Sequence, residues 1–127
     1  RLVAHVDGVM AAVDVVEDAG GGRQLKVNDR YTMGGTGTAF SDRRQAHLPL
    51  LMHGSPRTAL FLGLGPGMTF AASAAWPGLV ADGVELIPEI VDVLPAFGTS
   101  PAQLGADGRL RVISADARRF VQSAGRY

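Results

Sequence analysis

At 127 residues the chain has room for one modest domain or for a small module joined to part of a larger one, and its 12 basic residues are balanced by 12 acidic ones. A balanced charge excludes the one-signed field that draws in nucleic acid or an anionic membrane surface. No cysteine is present, which excludes disulfides, thiolate catalysis and Cys-ligated zinc and makes a reducing cytoplasm the expected location.

Up to about Asp29 the pattern is that of strands, in runs such as Leu2 to Val6, Ala11 to Val16 and Leu25 to Val27. Asp7-Gly8 suits a hairpin turn with positive φ, and Gly20-Gly21-Gly22 supplies a looser connection, so a small antiparallel sheet is expected. Gly34 to Thr38 reads as a flexible linker or as a loop edging a site. Asp42 suits the cap of a helix that begins near Arg43, carries Ala46, Leu50 and Leu51 on one face and has Pro49 early in its course. Gly54-Ser55-Pro56 ends it.

From Thr58 the pattern turns to α/β. Ala59 to Leu62 is a continuous apolar run of the kind found in central parallel strands. A helix over Met68 to Trp76, a strand over Val80 to Leu86, a helix from Pro88 to about Phe97, a strand over Leu110 to Ile113 and a helix over Ala117 to Ser123 follow. This alternation predicts a parallel sheet with right-handed crossovers. The uncharged stretch from Thr58 to Ala81 is long enough to raise a membrane span, but Gly63, Gly65, Pro66, Gly67 and Pro77-Gly78 break it as a helix, so no membrane segment is expected. The chain starts at Arg1 and stops after a helix-like stretch where another strand is due, and it reads as an excerpt. The organisation expected is an N-terminal β-hairpin region over 1–40, a helix and connector over 41–57, and the first half of a Rossmann-like nucleoside-binding domain over 58–127.

The residues with chemical potential fall on one edge of that sheet. Gly63-Leu64-Gly65-Pro66-Gly67 joins a buried strand to a helix, where glycines permit a sharp turn and close approach of a ligand to the helix N-terminus. Glu85 stands about twenty positions further on at the end of the next strand, the place from which an acid accepts ribose hydroxyls in dinucleotide folds. Asp116 closes the third strand on the same edge. It suits both the N-cap of the helix from Ala117 and a reader of an adenine amino group, and the two roles are compatible. His5, His47 and His53 lack metal-ligand spacing, so no metal is expected. Trp76 reads as a core residue, and Arg43-Arg44 and Arg118-Arg119 as solvated helix faces.

Leu25 to Asp29, His47 to His53, the loop Gly63 to Gly67, Val84 to Val91 and Asp116-Ala117-Arg118 resemble, in order, the successive blocks of the spermidine synthase-like aminopropyltransferases. The resemblance implies an α/β fold with a methyltransferase-type Rossmann-like sheet, incomplete here, preceded by a small antiparallel β-region. It implies a transferase of polyamine biosynthesis that moves an aminopropyl group from decarboxylated S-adenosylmethionine to a small-molecule amine. Glu85 would then hold the ribose, Asp116 and Ala117 the adenine, and Gly63, Leu64, Gly65 and Gly67 of the loop the thioether side, with Leu86 also among the cofactor-binding residues. Ordinary methyltransferases usually carry an acid two positions before the first loop glycine, where this chain has Phe61.

The resemblance also has departures. Polyamine-making members carry an Asp in the loop that gathers cationic amines, and this chain has Pro66 there. A Gln of the β-region corresponds to Thr32, and a Tyr-His pair before the apolar helix to Ser41-Asp42. The acid that deprotonates the amine lies in the family on a strand beyond Tyr127, so no catalytic residue is assigned. An S-adenosylmethionine-dependent methyltransferase and a non-catalytic nucleoside-binding domain of the same fold remain as alternatives. No nucleic-acid partner is expected, and a homodimer is an assembly the sequence allows.

Overall fold

The computed structural model describes residues 1–104, 108–125 and 127. Its strands form two sheets. Strands β1 (Leu2–Asp7), β2 (Ala12–Glu17), β3 (Arg23–Val27) and β4 (Tyr31–Gly35) make an antiparallel meander in chain order. Strands β5 (Thr58–Leu62), β6 (Val80–Glu85) and β7 (Leu110–Ser114) make a parallel sheet with β6 in the centre. Helix α1 (Ala39–His53) joins the two sheets. Helices α2 (Met68–Ala72) and α3 (Pro88–Val93) connect the parallel strands, with the short α4 (Pro101–Leu104) before β7 and α5 (Ala117–Ser123) after it.

Period-two patterning builds the meander. Val13 and Val15 of β2 stand opposite Val27 and Leu25 of β3, and all four side chains are buried on one face. His5 and Asp14 pair on the other face, Nδ1 to Oδ1 at 2.7 Å. The buried face packs against Ile90 and Val93 of α3, Met68 of α2 and Phe97 in the 3-10 turn that extends α3. Each such side chain contributes about 1.5–3 kcal/mol when taken out of water, so the meander and α3 share one core.

Several local features differ from the sequence reading. Gly8 does not adopt positive φ. Its value is room, because a Cβ there would collide with the buried carboxylate of Glu89, whose Oε1 accepts from Met10 N at 3.2 Å. Gly34 and Gly35 do not form a linker but end β4. A tight turn precedes that strand, with Asn28 and Asp29 at φ 53° and 52° and Arg30 N bonded to Val27 O at 3.1 Å. Both central residues of this turn are left-handed, a conformation that Asn and Asp tolerate better than most residues, and the turn lies within the three-residue connection between the paired Val27 and Tyr31.

Helix α1 also begins earlier than expected, with Thr38 as its N-cap residue and Asp42 inside the first turn. Pro49 therefore lies well within the helix, where it removes one backbone donor. Ala46 and Leu50, one turn apart, are buried, whereas Leu51 is exposed. Trp76 is half-buried against α1 and donates Nε1–H to His47 Nδ1 at 3.0 Å. An indole N–H partly withdrawn from water is satisfied by such an acceptor.

The parallel sheet buries Leu64, Phe70, Ala81, Leu94 and Leu110 in a second core, with Phe61 edge-on to Phe70 at 5.6 Å between ring centroids. On β6, the buried Asp82 faces Arg111 of β7 in register and is bonded bidentately, at 2.6 Å from Nε and 2.7 Å from Nη2. Tyr127 adds its phenol O–H to Asp82 Oδ2 at 2.7 Å. Burial pushes this carboxyl up, but the bonds from Arg111 and Tyr127 outweigh it and hold it below the ordinary carboxylate value. The uncharged stretch 58–81 is divided among β5, the glycine loop and α2, and no helix among the described residues is long and apolar enough to cross a membrane.

Candidate functional site

Because β5, β6 and β7 run parallel, their C-terminal ends meet at one edge, and backbone bonds tie those ends together. Gly63 N donates to Val84 O at 2.8 Å, and Ala115 N to Glu85 O at 2.9 Å. The loop leaving β5 turns through Gly63, Gly65 and Gly67 at φ 79°, 52° and 78°. A residue with a Cβ would be strained by about 1–2 kcal/mol in each left-handed position.

Two further contacts fix the loop from behind. A Cβ on Gly67 would lie 2.7 Å from Thr99 Oγ1, and the buried Thr99 donates that hydroxyl to Pro66 O at 2.8 Å. Leu64 turns down into the core, and Pro66 is buried as well. Gly63 and Gly65 are the more open members of the loop. Neither Thr99 nor its contact with the loop carries any sequence signal, since the two are far apart in the chain.

Glu85 is 6% exposed, and its carboxylate is bonded to the loop. Oε2 accepts from Leu64 N at 2.8 Å and from Gly65 N at 3.4 Å, while Oε1 accepts from Ile87 N at 3.0 Å. A carboxylate offers about four lone-pair sites, so these three bonds leave one site on Oε1 uncommitted. Charge-assisted acceptance from backbone amides fixes this side chain in place.

Asp116 caps α5, accepting from Arg118 N at 2.9 Å and from Arg119 N at 3.4 Å. The Arg118 guanidinium, 3.0 Å away through Nη2, and the Arg118 amide hold its carboxyl below the ordinary range. The N-cap role is thus present, and the same side chain also lines a cavity. That cavity, of about 340 Å3, is bounded by Gly63, Glu85, Leu86, Asp116, Ala117 and Arg118. All the groove residues expected from the sequence at the ends of β6 and β7 are brought together there.

A second cavity, of about 330 Å3, shares Gly63 and Glu85 with the first and extends past Leu64 and Gly65 to Met33, Asp42 and Pro66. Asp42, read from the sequence as a helix cap, therefore belongs to the wall of the site. A larger hollow of about 420 Å3 between α1 and α2 has Arg43 and His47 on its rim and no carboxylate in its lining. It reaches the loop region through Met68 and Thr99 but contains none of the strand-end acids. Among the described residues no group of three or more His, Asp or Glu is placed so that it could hold a metal ion.

A glycine turn, an acid at the end of the next strand and a second acid beyond the third strand on the same edge, beside an antiparallel β-region, together define a methyltransferase-like Rossmann architecture. Solved spermidine synthases share it. The crystal structure of a spermidine synthase in complex with the transition state analogue AdoDATO matches with a TM-score of 0.82 at 19% identity, over 96% of this chain and 43% of that one. The Thermotoga maritima spermidine synthase matches with a TM-score of 0.82 at 18% identity, over 96% and 42%. A probable spermidine synthase from Corynebacterium glutamicum matches with a TM-score of 0.68 at 14% identity, over 97% and 48%. The chain thus has their fold and spans less than half of their length. No protein-family model and no curated protein matches the sequence.

Proposed function

We propose that the chain forms the nucleoside-binding part of an aminopropyltransferase that takes decarboxylated S-adenosylmethionine as donor and a small-molecule amine as acceptor. The observation that carries this reading is the convergence of Gly63, Glu85 and Asp116 around one groove at the strand ends. The remaining lone-pair site on Glu85 Oε1 receives a ribose hydroxyl, and the weak 3.4 Å bond from Gly65 N is the one a second hydroxyl displaces. Asp116 and Ala117 face the adenine, Leu86 lies against the sugar and base, and Gly63 to Gly67 face the sulfonium side.

In this reaction the amine nitrogen forms a bond to the carbon beside the sulfonium as the carbon–sulfur bond breaks. The electron pair goes to sulfur, 5′-methylthioadenosine leaves, and the amine loses a proton. Fixed placement of both substrates supplies much of the acceleration. The resemblance between the sequence blocks and those of aminopropyltransferases supports the reading, as does the fold shared with a synthase crystallised with AdoDATO. Phe61, which packs on Phe70, stands where ordinary methyltransferases usually carry an acid, and this departure supports the aminopropyltransferase resemblance over a methyltransferase one.

Calorimetric titration of the intact protein with both nucleosides in parallel, followed by product analysis with 1,4-diaminobutane, tests the assignment. Preferential binding of the decarboxylated form and release of 5′-methylthioadenosine are expected. Tighter binding of S-adenosylmethionine would instead support a methyltransferase, and failure of both to bind would remove the roles given to Glu85 and Asp116.

A further inference from the structure

We propose that Asp42 holds the ammonium group of the acceptor beside the glycine loop, a role that rests on the reading of the adjoining groove as a nucleoside site. The cavity past Gly65 is lined by apolar Met33, Pro66 and Met68, by neutral polar Gln45 and Thr69, and by two charged groups, Asp42 and Glu85, with no Lys, Arg or His. Its chemistry is that of a receptor for an alkyl chain with a cationic end. Glu85 has most of its acceptor capacity committed to backbone amides. Pro66 supplies neither charge nor donor. Asp42 is the carboxylate left to meet a cation.

The surroundings of Asp42 keep it available. Thr38 donates its hydroxyl to Oδ2 at 2.7 Å, and Asp42 forms no ion pair with any described residue. The two arginines that follow it turn elsewhere. Arg44 lies over the Phe40 ring at 5.9 Å, and Arg43 borders the hollow between α1 and α2. Successive helical residues point in different directions, so adjacency in sequence does not neutralise Asp42. Helix α1 thereby supplies the charge that the loop lacks.

The test titrates the intact protein with 1,4-diaminobutane in the presence of 5′-methylthioadenosine, with butane-1,4-diol as the uncharged control. The wild-type protein is expected to bind the diamine and not the diol. Asp42→Asn should weaken the diamine by roughly tenfold or more, as loss of a charge-assisted contact does, and change the nucleoside affinity less than about twofold. Thr38→Val removes the hydroxyl contact but keeps the carboxylate, so it should retain diamine binding and control for damage to the helix start. Equal diamine affinity in wild type and Asp42→Asn would overturn the proposal, as would a nucleoside-bound wild type that takes no diamine. Asp42-dependent diamine binding without nucleoside binding would uphold Asp42 and remove the nucleoside reading, and binding of neither would remove both.

Discussion

The carboxylate of Glu85 holds the amide of Leu64 at 2.8 Å, joining the end of β6 to the glycine loop that leaves β5. One side chain therefore both shapes the loop and faces the groove, so its substitution should disturb both. Glu85→Gln places an amide N–H₂ against backbone donors, and removal of the charge should weaken nucleoside binding roughly tenfold or more. Thermal unfolding should shift down in parallel. Calorimetry and a melting curve on the same variant check this, and undiminished affinity would contradict the ribose role.

Gly63 and Gly67 separate backbone strain from steric contact. Both are left-handed, but a Cβ on Gly63 meets no atom within 4 Å, whereas on Gly67 it meets Thr99 at 2.7 Å. Gly67→Ala should cost clearly more than the roughly 1–2 kcal/mol of left-handed strain alone, and Gly63→Ala close to that value. Denaturant unfolding measures both. Gly63→Ala should still lose nucleoside affinity, because its methyl group enters the space a ligand needs.

Asp116 has two roles that different side chains can divide. Serine is a good N-cap but too short to reach a base, while alanine fills neither role. Asp116→Ser should leave the melting temperature close to wild type and reduce nucleoside affinity roughly tenfold, and Asp116→Ala should lower both. If Asp116→Ser binds as wild type does, the residue is a cap and nothing more.

Asp82 ties stability to acid pH. Its folded-state value lies below the ordinary 3.8, since the bonds from Arg111 and Tyr127 outweigh burial. The folded chain thus binds this proton less readily than the unfolded one, so the stabilisation is fully present above the unfolded value and is lost as pH falls through the folded value. Asp82→Asn should be less stable than wild type at neutral pH, with the gap narrowing below about pH 4. Urea titrations at several pH values test this, and a gap that does not change with pH would place the effect in packing rather than charge.

Much of the parallel half is legible in the sequence. Alternation of apolar runs with helical stretches marks β5 to β7, and Asp116 marks the start of α5, because capping and burial act over a few residues. The four-stranded meander is only partly legible. The turn at Asn28-Asp29 is a local signal, but β4 consists of Tyr31 to Gly35, whose two glycines read as a loop until pairing with β3 gives their backbone groups partners.

The sequence by itself determined the order of the parallel strands, the glycine turn and the strand-end acids, all of which follow from short-range periodicity and spacing. Tertiary structure decided the rest. Only packing of α1 and β4 beside the loop brings Asp42 and Met33 to the cavity with Pro66, and only the return of the chain after α3 places Thr99 behind that proline. Such contacts depend on how separately formed surfaces meet, and no local pattern of residues encodes them.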